Sequence, residues 1–134
     1  MAYWLFSKKN SMKNLEIIIL AAGKGTRMKS SKPKILHELG GKQIIDYVID
    51  ASIRLNPKKI HLVVNNQIKN NFKNANNVNI VIQKKQNGTG DAIKSAIKSL
   101  EKDSVTLVLY GDVPLIKYKT ILNVSKIKTN IVNL

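Results

Sequence analysis

The feature that most constrains the fold is a short apolar stretch that runs directly into a glycine-containing, cationic loop. Leu15 to Leu20 is too short for a typical helix and rich in β-branched isoleucine, which predicts a strand buried on both faces, as in parallel sheets. Two alanines follow, and Gly23 and Gly25 then flank Lys24. Small residues let backbone amides approach a ligand closely, and the lysine supplies positive charge. The stretch therefore predicts a binding site for phosphate groups beyond the end of a strand.

The loop matches neither of two widespread phosphate-binding patterns. No G-x-x-x-x-G-K-[ST] can be written here, and Met28 stands where G-x-G-x-x-G requires its third glycine. Two interpretations stay open from the residues alone. We favour a phosphate or nucleotide loop, because Arg27, Lys32 and Lys34 add to the charge of Lys24. The alternative is a solvated basic turn after a core strand.

Segments typical of strands and helices alternate along the rest of the chain. Further strands are predicted at 59–64, 78–82 and 104–110. Helices are predicted at 43–54, 91–100 and 119–127, with a short helix at 67–73 inside a polar surface connection at 65–77. His61 falls within a strand and is interpreted as structural. The repeated order predicts an α/β fold with three α/β/α layers and a mostly parallel, Rossmann-like sheet.

The predicted topology also indicates where a ligand would bind. In parallel sheets, ligands bind beyond the carboxyl ends of the strands. The loops 21–34, 83–90 and 110–114 leave from those ends, so we expect them to converge on one edge of the sheet. Residues 1–14 show no periodicity and are expected to be an extension outside the fold, with Met12 as a possible natural start.

Composition narrows the function classes. The formal net charge of +15 could indicate nucleic-acid binding, but nearly all the cations are lysines spread along the chain, and aromatic residues make up only 5%. A small basic nucleic-acid-binding protein therefore remains the alternative from a different class. The chain has no cysteine, which fits a reducing cytoplasm, and no apolar run long enough to span a membrane.

Several motifs resemble one enzyme family closely. Leu20-Ala-Ala-Gly-Lys-Gly-Thr-Arg-Met28 with Pro33-Lys34 resembles the signature loop of the sugar-phosphate nucleotidyltransferases. The stretches 34–42, 87–92 and 109–115, together with Gln83, are similar to the bacterial bifunctional N-acetylglucosamine-1-phosphate uridylyltransferases/glucosamine-1-phosphate acetyltransferases. The similarity runs from about residue 15 to residue 122 and covers the first part of their uridylyltransferase domain.

This resemblance implies a reaction. A phosphate oxygen of N-acetylglucosamine 1-phosphate attacks the α-phosphorus of UTP, pyrophosphate leaves, and UDP-N-acetylglucosamine forms as a precursor of peptidoglycan and lipopolysaccharide. No covalent enzyme intermediate is needed, so catalysis rests on alignment and on neutralising the charge of two polyanions. The implied cofactor is Mg²⁺, and the implied compartment is the cytoplasm. Another sugar-phosphate or alcohol-phosphate nucleotidyltransferase, with a different base or acceptor, is the alternative within the superfamily.

The resemblance also implies residue roles. Asp112 would hold Mg²⁺, although an aspartate in this position could instead cap a turn. Arg27 and Lys34 would act on the phosphates at the reacting centre, whereas Lys32 is expected to be a solvated charge. Gln83 with the backbone of Gly88 and Thr89 would select the base. The remaining nucleotide contacts are expected from Leu20, Ala21, Ala22, Gly23, Lys24, Lys34, Tyr110, Gly111 and Asp112.

Family enzymes extend well beyond this length. They carry further sugar-binding residues, a second metal ligand that is an asparagine, and an acetyltransferase domain through which they form homotrimers. We therefore expect residues 15–134 to be the N-terminal portion of a nucleotidyltransferase domain, an incomplete fragment that alone has little or no activity.

Overall fold

The computed structural model describes residues 3–7, 14–23, 29–72, 77–125 and 131–133. Within them a six-stranded sheet lies at the centre, accompanied by a two-stranded hairpin. In chain order the elements are β1 (Tyr3–Ser7), β2 (Leu15–Leu20), β3 (Glu38–Leu39), β4 (Lys42–Gln43), α1 (Ile44–Ile53), β5 (Lys59–Val64), β6 (Val78–Ile82), α2 (Thr89–Ile97), β7 (Val105–Tyr110), α3 (Tyr118–Ser125) and β8 (Ile131–Asn133). Strands β3 and β4 form the hairpin.

The strand order in the main sheet is β6-β5-β2-β7-β1-β8. The first four strands are parallel, and β1 runs antiparallel to both β7 and β8. From β2 the chain moves outward to β5 and β6, then returns to β7 on the other side of β2. Strand order therefore reverses at β2, and ligands bind at such a reversal in open α/β sheets.

The side chains of β2 show why the sheet needs cover on both faces. Ile17 and Ile19 belong to a buried cluster that includes residues of α1 and α3, whereas Ile18 belongs to a second cluster with residues of α2. All three isoleucines are fully buried. The predicted three-layer α/β/α fold with a mostly parallel sheet is confirmed.

The predicted strands agree with the structure to within one residue, and the predicted helices begin and end within three residues of those observed where both ends are described. The connection at 65–77 differs from its prediction, because Ile68 and Phe72 are buried in the core. The Asn65 side-chain oxygen accepts hydrogen bonds from the backbone N–H groups of Gln67 and Ile68, which turns the chain inward. The helix expected here is a 3-10 helix, Lys69–Phe72.

The amino terminus also differs from its prediction. Residues 1–14 were expected to lie outside the fold, but Tyr3–Ser7 pairs with residues 105–109 of β7 on one side and with Ile131–Asn133 on the other. Strand β7 would otherwise present an unpaired row of backbone N–H and C=O groups, so an added antiparallel strand satisfies them. The segment lacks the polar–apolar alternation that would predict a strand. Its aromatic residues indicate only a general preference for β structure.

Candidate active site

A cavity of about 350 Å³ lies at the carboxyl ends of the parallel strands. It is formed where the loops after β2, β6 and β7 meet, as the topology predicts. Its lining residues are Leu20, Ala21, Ala22, Gly23, Lys34, Ile35, Gln83, Gln86, Gly88, Thr89, Ala92, Tyr110 and Asp112. Every predicted site residue that the structure describes lines this cavity, with the exception of Gly111. Lys24 and Arg27 lie outside the described residues, so their roles stay predictions.

Gly111 is buried beside the cavity, at a point where two strands come close together. Its N–H donates to the carbonyl oxygen of Leu20 at 2.9 Å. A Cβ at this position would lie 2.7 Å from Cδ1 of Ile45 and 3.0 Å from the same carbonyl oxygen. Packing between the end of β7, the end of β2 and α1 therefore explains the glycine.

Lys34 and Asp112 face each other at one part of the cavity. The Lys34 Nζ lies 3.4 Å from Asp112 Oδ2, and both side chains are 44% exposed. Lys34 begins a short 3-10 helix, Lys34–Leu36, which follows Pro33 and is anchored by the buried side chains of Ile35 and Leu36. Asp112 is the second residue after β7. Both groups are thus fixed at their backbones while their charged ends remain accessible.

Gln83 lies at another part of the cavity, just after β6, and is 4% exposed. Its N–H donates to the carbonyl of Val64 and continues the strand pairing. Its side-chain Nε2 donates to Asp91 Oδ2 at 2.9 Å and to the Gly88 carbonyl at 3.3 Å. Gly88 has φ +93°, a conformation that other residues rarely adopt, and it precedes the first residue of α2.

Three lining residues were not among the predicted site residues. Ile35 and Ala92 are ordinary apolar residues in the sequence, and Gln86 belongs to no distinguishing pattern. The Gln86 Nε2 donates to the Ala22 carbonyl at 2.8 Å, and the Asn65 Nδ2 approaches the same oxygen at 3.4 Å. Gln86 therefore ties the segment after β6 to the loop after β2, a contact that only the folded chain creates.

The two residues interpreted as lacking a catalytic role lie elsewhere. His61 is fully buried within β5, where its Nε2 lies 2.5 Å from Glu16 Oε2. Lys32 is exposed, and its backbone carbonyl accepts a hydrogen bond from the ring of His37. Neither residue lines the cavity.

The donor set suits a hard divalent cation bound together with phosphates. Among the described residues no group of three or more His, Cys, Asp or Glu side chains could hold a metal ion on its own. Asp112 offers one accessible carboxylate, and Mg²⁺ is usually held by one or two carboxylates plus substrate phosphates and waters. Among the described residues, the cavity thus combines the Asp112 carboxylate, the Lys34 ammonium and a wall of small residues.

Comparison with known proteins agrees with this architecture. Residues 17–126 match the family model described as the MobA-like NTP transferase domain. The chain belongs to this family.

Among curated relatives, the bifunctional protein GlmU of Buchnera aphidicola is 52% identical to this chain over 114 residues. The match covers 84% of this chain but 25% of that protein, so the chain spans about a quarter of its relative's length. A nucleotidyl transferase from Methanothermobacter thermautotroptrophicus superposes with a TM-score of 0.74 at 17% identity, covering 84% of this chain and 57% of that one. A manganese complex of Rv0371C from Mycobacterium tuberculosis gives a TM-score of 0.69 at 14% identity, with the same two coverages.

These structural matches show the fold of an NTP transferase domain.

In the part of the chain that the structure describes, no helix is both long and apolar enough to cross a membrane.

Proposed function

We propose that this NTP transferase domain transfers a uridylyl group from UTP to N-acetylglucosamine 1-phosphate. The observation that carries the proposal is a single cavity that joins the Lys34–Asp112 pair to the Gln83–Thr89 segment. One part of the cavity offers groups suited to phosphates, and the other offers amides and backbone groups suited to a base. The motif resemblance to the uridylyltransferases and the identity with bifunctional protein GlmU support this choice of base and acceptor.

In the proposed reaction, an oxygen of the sugar phosphate forms a new bond to the α-phosphorus of UTP. The bond between the α-phosphorus and the bridging oxygen of the pyrophosphate breaks, and pyrophosphate leaves with that electron pair. The substrate supplies the nucleophile, so the protein needs only to align two polyanions and to neutralise their charge.

Lys34 and Asp112 take complementary parts in that neutralisation. The Lys34 ammonium would contact a phosphate, and Arg27 is proposed to act on the triphosphate as well. The Asp112 carboxylate would hold Mg²⁺, which when bound draws negative charge from the phosphates and lowers their repulsion. Before substrate binds, the ammonium and the carboxylate form an ion pair with each other, since the two groups lie 3.4 Å apart.

The rest of the cavity would position the nucleoside. Gln83 with the backbone of Gly88 and Thr89 would read the uracil edge, because amides offer both donors and acceptors. Leu20 and the small residues Ala21, Ala22 and Gly23, with Lys24, would let the nucleotide lie close to the end of β2. Tyr110 would flank it beside Asp112, and Gly111 would hold the backbone of this wall in place.

The setting of the reaction is part of the proposal. UTP and a sugar phosphate are soluble intracellular metabolites, so we place the activity in the cytoplasm. A longer protein that contains this domain is proposed to form a homotrimer through a separate domain. Peptidoglycan and lipopolysaccharide synthesis would consume the product.

Titration of the 134-residue chain with UTP, CTP and dTTP by isothermal calorimetry, with and without Mg²⁺, tests the proposal. We expect UTP binding that strengthens with Mg²⁺, together with slow or undetectable pyrophosphate release when N-acetylglucosamine 1-phosphate is added. The proposal would be overturned if the chain bound no nucleoside triphosphate, or if it bound RNA tightly in their absence. Preference for CTP would instead indicate a cytidylyltransferase.

A further inference from the structure

We propose that Asp91 determines base selectivity by fixing the orientation of the Gln83 side-chain amide, so that the site accepts pyrimidines with an N3–H. This inference rests on the proposed function and concerns the same cavity. Asp91 is not among its lining residues and would act through Gln83, as a positioning residue.

The first step of the argument is the chemistry of the two groups that contact the Gln83 amide. One is the Asp91 carboxylate, 2.9 Å away, and the other is the Gly88 carbonyl, 3.3 Å away. Both are hydrogen-bond acceptors, and a carboxylate has no hydrogen to donate when ionised. Only the NH₂ group can satisfy them, because the reversed amide would place its oxygen against two other oxygens.

The second step concerns the amide oxygen that this orientation leaves over. No described residue donates a hydrogen bond to Gln83 Oε1, and no buried side-chain polar atom among the described residues is left without a partner. The residues that the structure describes therefore leave this oxygen to a bound ligand. Since Gln83 lines the cavity, a bound base would meet an acceptor rather than a donor.

The third step compares the bases. Uracil and thymine carry a hydrogen on N3, which an acceptor can receive. Cytosine presents a lone pair at N3, so the same acceptor would repel it and leave two polar groups unpaired. Unpaired buried polar groups are the strongest source of discrimination between similar ligands.

A different role for Asp91 makes a distinguishable prediction. It lies in the first turn of α2, where a negative charge also stabilises the helix through its dipole. That role requires the charge, whereas fixing the amide requires only an acceptor oxygen. Asp91→Asn removes the charge and keeps such an oxygen, while Asp91→Ala removes both.

The experiment measures the ratio of dissociation constants for CTP and UTP, with Mg²⁺, on the full chain and its variants. We expect the wild-type protein to favour UTP and dTTP over CTP by roughly tenfold or more, the range that one well-placed hydrogen bond supports. Asp91→Ala should bring the ratio to within about threefold of unity. Asp91→Asn should keep most of the preference for UTP over CTP. Asp91→Leu, which is close to aspartate in size and has no hydrogen-bonding group, serves the same purpose if the alanine variant does not fold.

Ser95→Ala is the matched control. Its hydroxyl donates to the backbone carbonyl of Asp91 at 2.9 Å, so the variant loses a hydrogen bond in the same helix without touching Gln83. Its CTP/UTP ratio should equal that of the wild type. A second probe is 3-methyl-UTP, which lacks the N3–H, and which the wild type should bind more weakly than UTP while Asp91→Ala should not.

The outcomes separate the inference from the proposed function. If the wild-type chain binds no nucleoside triphosphate, the proposed function fails and the inference fails with it. If the wild type binds UTP and CTP alike, or if Asp91→Ala or Asp91→Leu keeps the full preference, only the inference is overturned. Equal loss in Asp91→Asn and Asp91→Ala would assign the effect to charge and would also overturn it.

Discussion

Lys34 and Asp112 are 78 residues apart in the chain, yet Lys34 Nζ lies 3.4 Å from Asp112 Oδ2. The lysine follows the loop after β2, and the aspartate follows β7, the neighbouring parallel strand. Adjacent parallel strands end at the same edge of a sheet, so their following loops are brought together by topology. The pair is also substantially exposed, which lets each partner exchange the other for a phosphate or a cation.

Replacing either member of this pair should separate metal handling from phosphate handling. Asp112→Asn should remove the strengthening of UTP binding by Mg²⁺, and Lys34→Ala should weaken binding about 10- to 100-fold, as expected for a charge-assisted hydrogen bond. Calorimetric titration with and without Mg²⁺ checks both. Asp50→Asn is the control, because Asp50 pairs with Lys42 in another exposed lysine–aspartate pair that does not line the cavity. Unaltered Mg²⁺ dependence in Asp112→Asn would contradict the assignment.

Most of the fold could be predicted from the sequence, because the patterns that indicate its strands and helices are local. Runs such as Leu15–Leu20 and Val105–Tyr110 are rich in β-branched residues and mostly buried, and each is followed by a small residue that marks a loop. The apolar stripe of α1 has the helical period, so its position needs no long-range information. Strand β1 escaped prediction because its membership depends on an open edge of β7, which exists only once the sheet has formed.

The residues of the candidate site likewise fall into those that a local motif predicts and those that only the folded chain reveals. Asp112 and Gln83 were predictable from motifs at strand ends, and the cavity brings them together. Gln86 and Asp91 were missed because their importance lies in contacts with Ala22 and Gln83 that no spacing reveals. Glu16 was hidden for another reason, since a single acid inside an apolar run predicts nothing until its partner in β5 is known.

The buried contact between Glu16 and His61 predicts a large effect on stability. Glu16 is fully buried, and its carboxylate accepts from the backbone N–H of Glu101 at 2.8 Å as well as contacting His61 Nε2 at 2.5 Å. Glu16→Ala should lower the free energy of unfolding by about 3 kcal/mol, because the buried His61 ring and the part-buried N–H of Glu101 each lose this partner. Urea denaturation measures it. Glu38→Ala, at an exposed acid, should change stability by less than about 0.5 kcal/mol.

The same network should not influence nucleotide selectivity. Glu16 lies near the amino end of β2, whereas the cavity lies at the carboxyl end of that strand.

If Glu16→Ala lowers the free energy of unfolding by less than about 1 kcal/mol, the stability prediction is contradicted, because water would then replace the carboxylate without penalty.

Close packing at Gly111 predicts a steric effect that a second substitution can relieve. Gly111→Ala would bring a methyl group within 2.7 Å of Ile45 Cδ1, and overpacking of this kind destabilises by about 1–3 kcal/mol. Ile45→Val removes that carbon, so the double variant should be more stable than the sum of the two single changes. Denaturation of all four proteins in a double-mutant cycle measures the coupling.

Gly90→Ala is the control for the loss of a glycine. Nothing lies within 4 Å of a Cβ at that position, and the residue is inside α2. Alanine should therefore stabilise the helix by up to about 1 kcal/mol. Additive effects at Gly111 and Ile45 would contradict the steric explanation.

The ion pairs of Glu101 predict a stability difference that depends on pH. Hydrogen bonds from Lys58, and then from Lys59 at 3.1 Å, hold the pKa of the Glu101 carboxyl below its ordinary 4.5. A carboxyl whose pKa is lower in the folded state stabilises the protein above its unfolded pKa, and this contribution disappears as the pH falls through the folded value. Wild type should therefore be more stable than Glu101→Gln at pH 7, and the difference should vanish as the pH falls below 4.5.

Thermal unfolding of both proteins across this pH range, at low and high salt, measures the difference. The pair is substantially exposed, so the effect should be small and should shrink as salt screens the charges. Glu38→Gln supplies the matched control, because it makes the same chemical change at another exposed acid, and it should change stability by less than about 0.5 kcal/mol. A stability difference between wild type and Glu101→Gln that is equal on both sides of pH 4.5 would assign the effect to packing of the side chain instead of its charge.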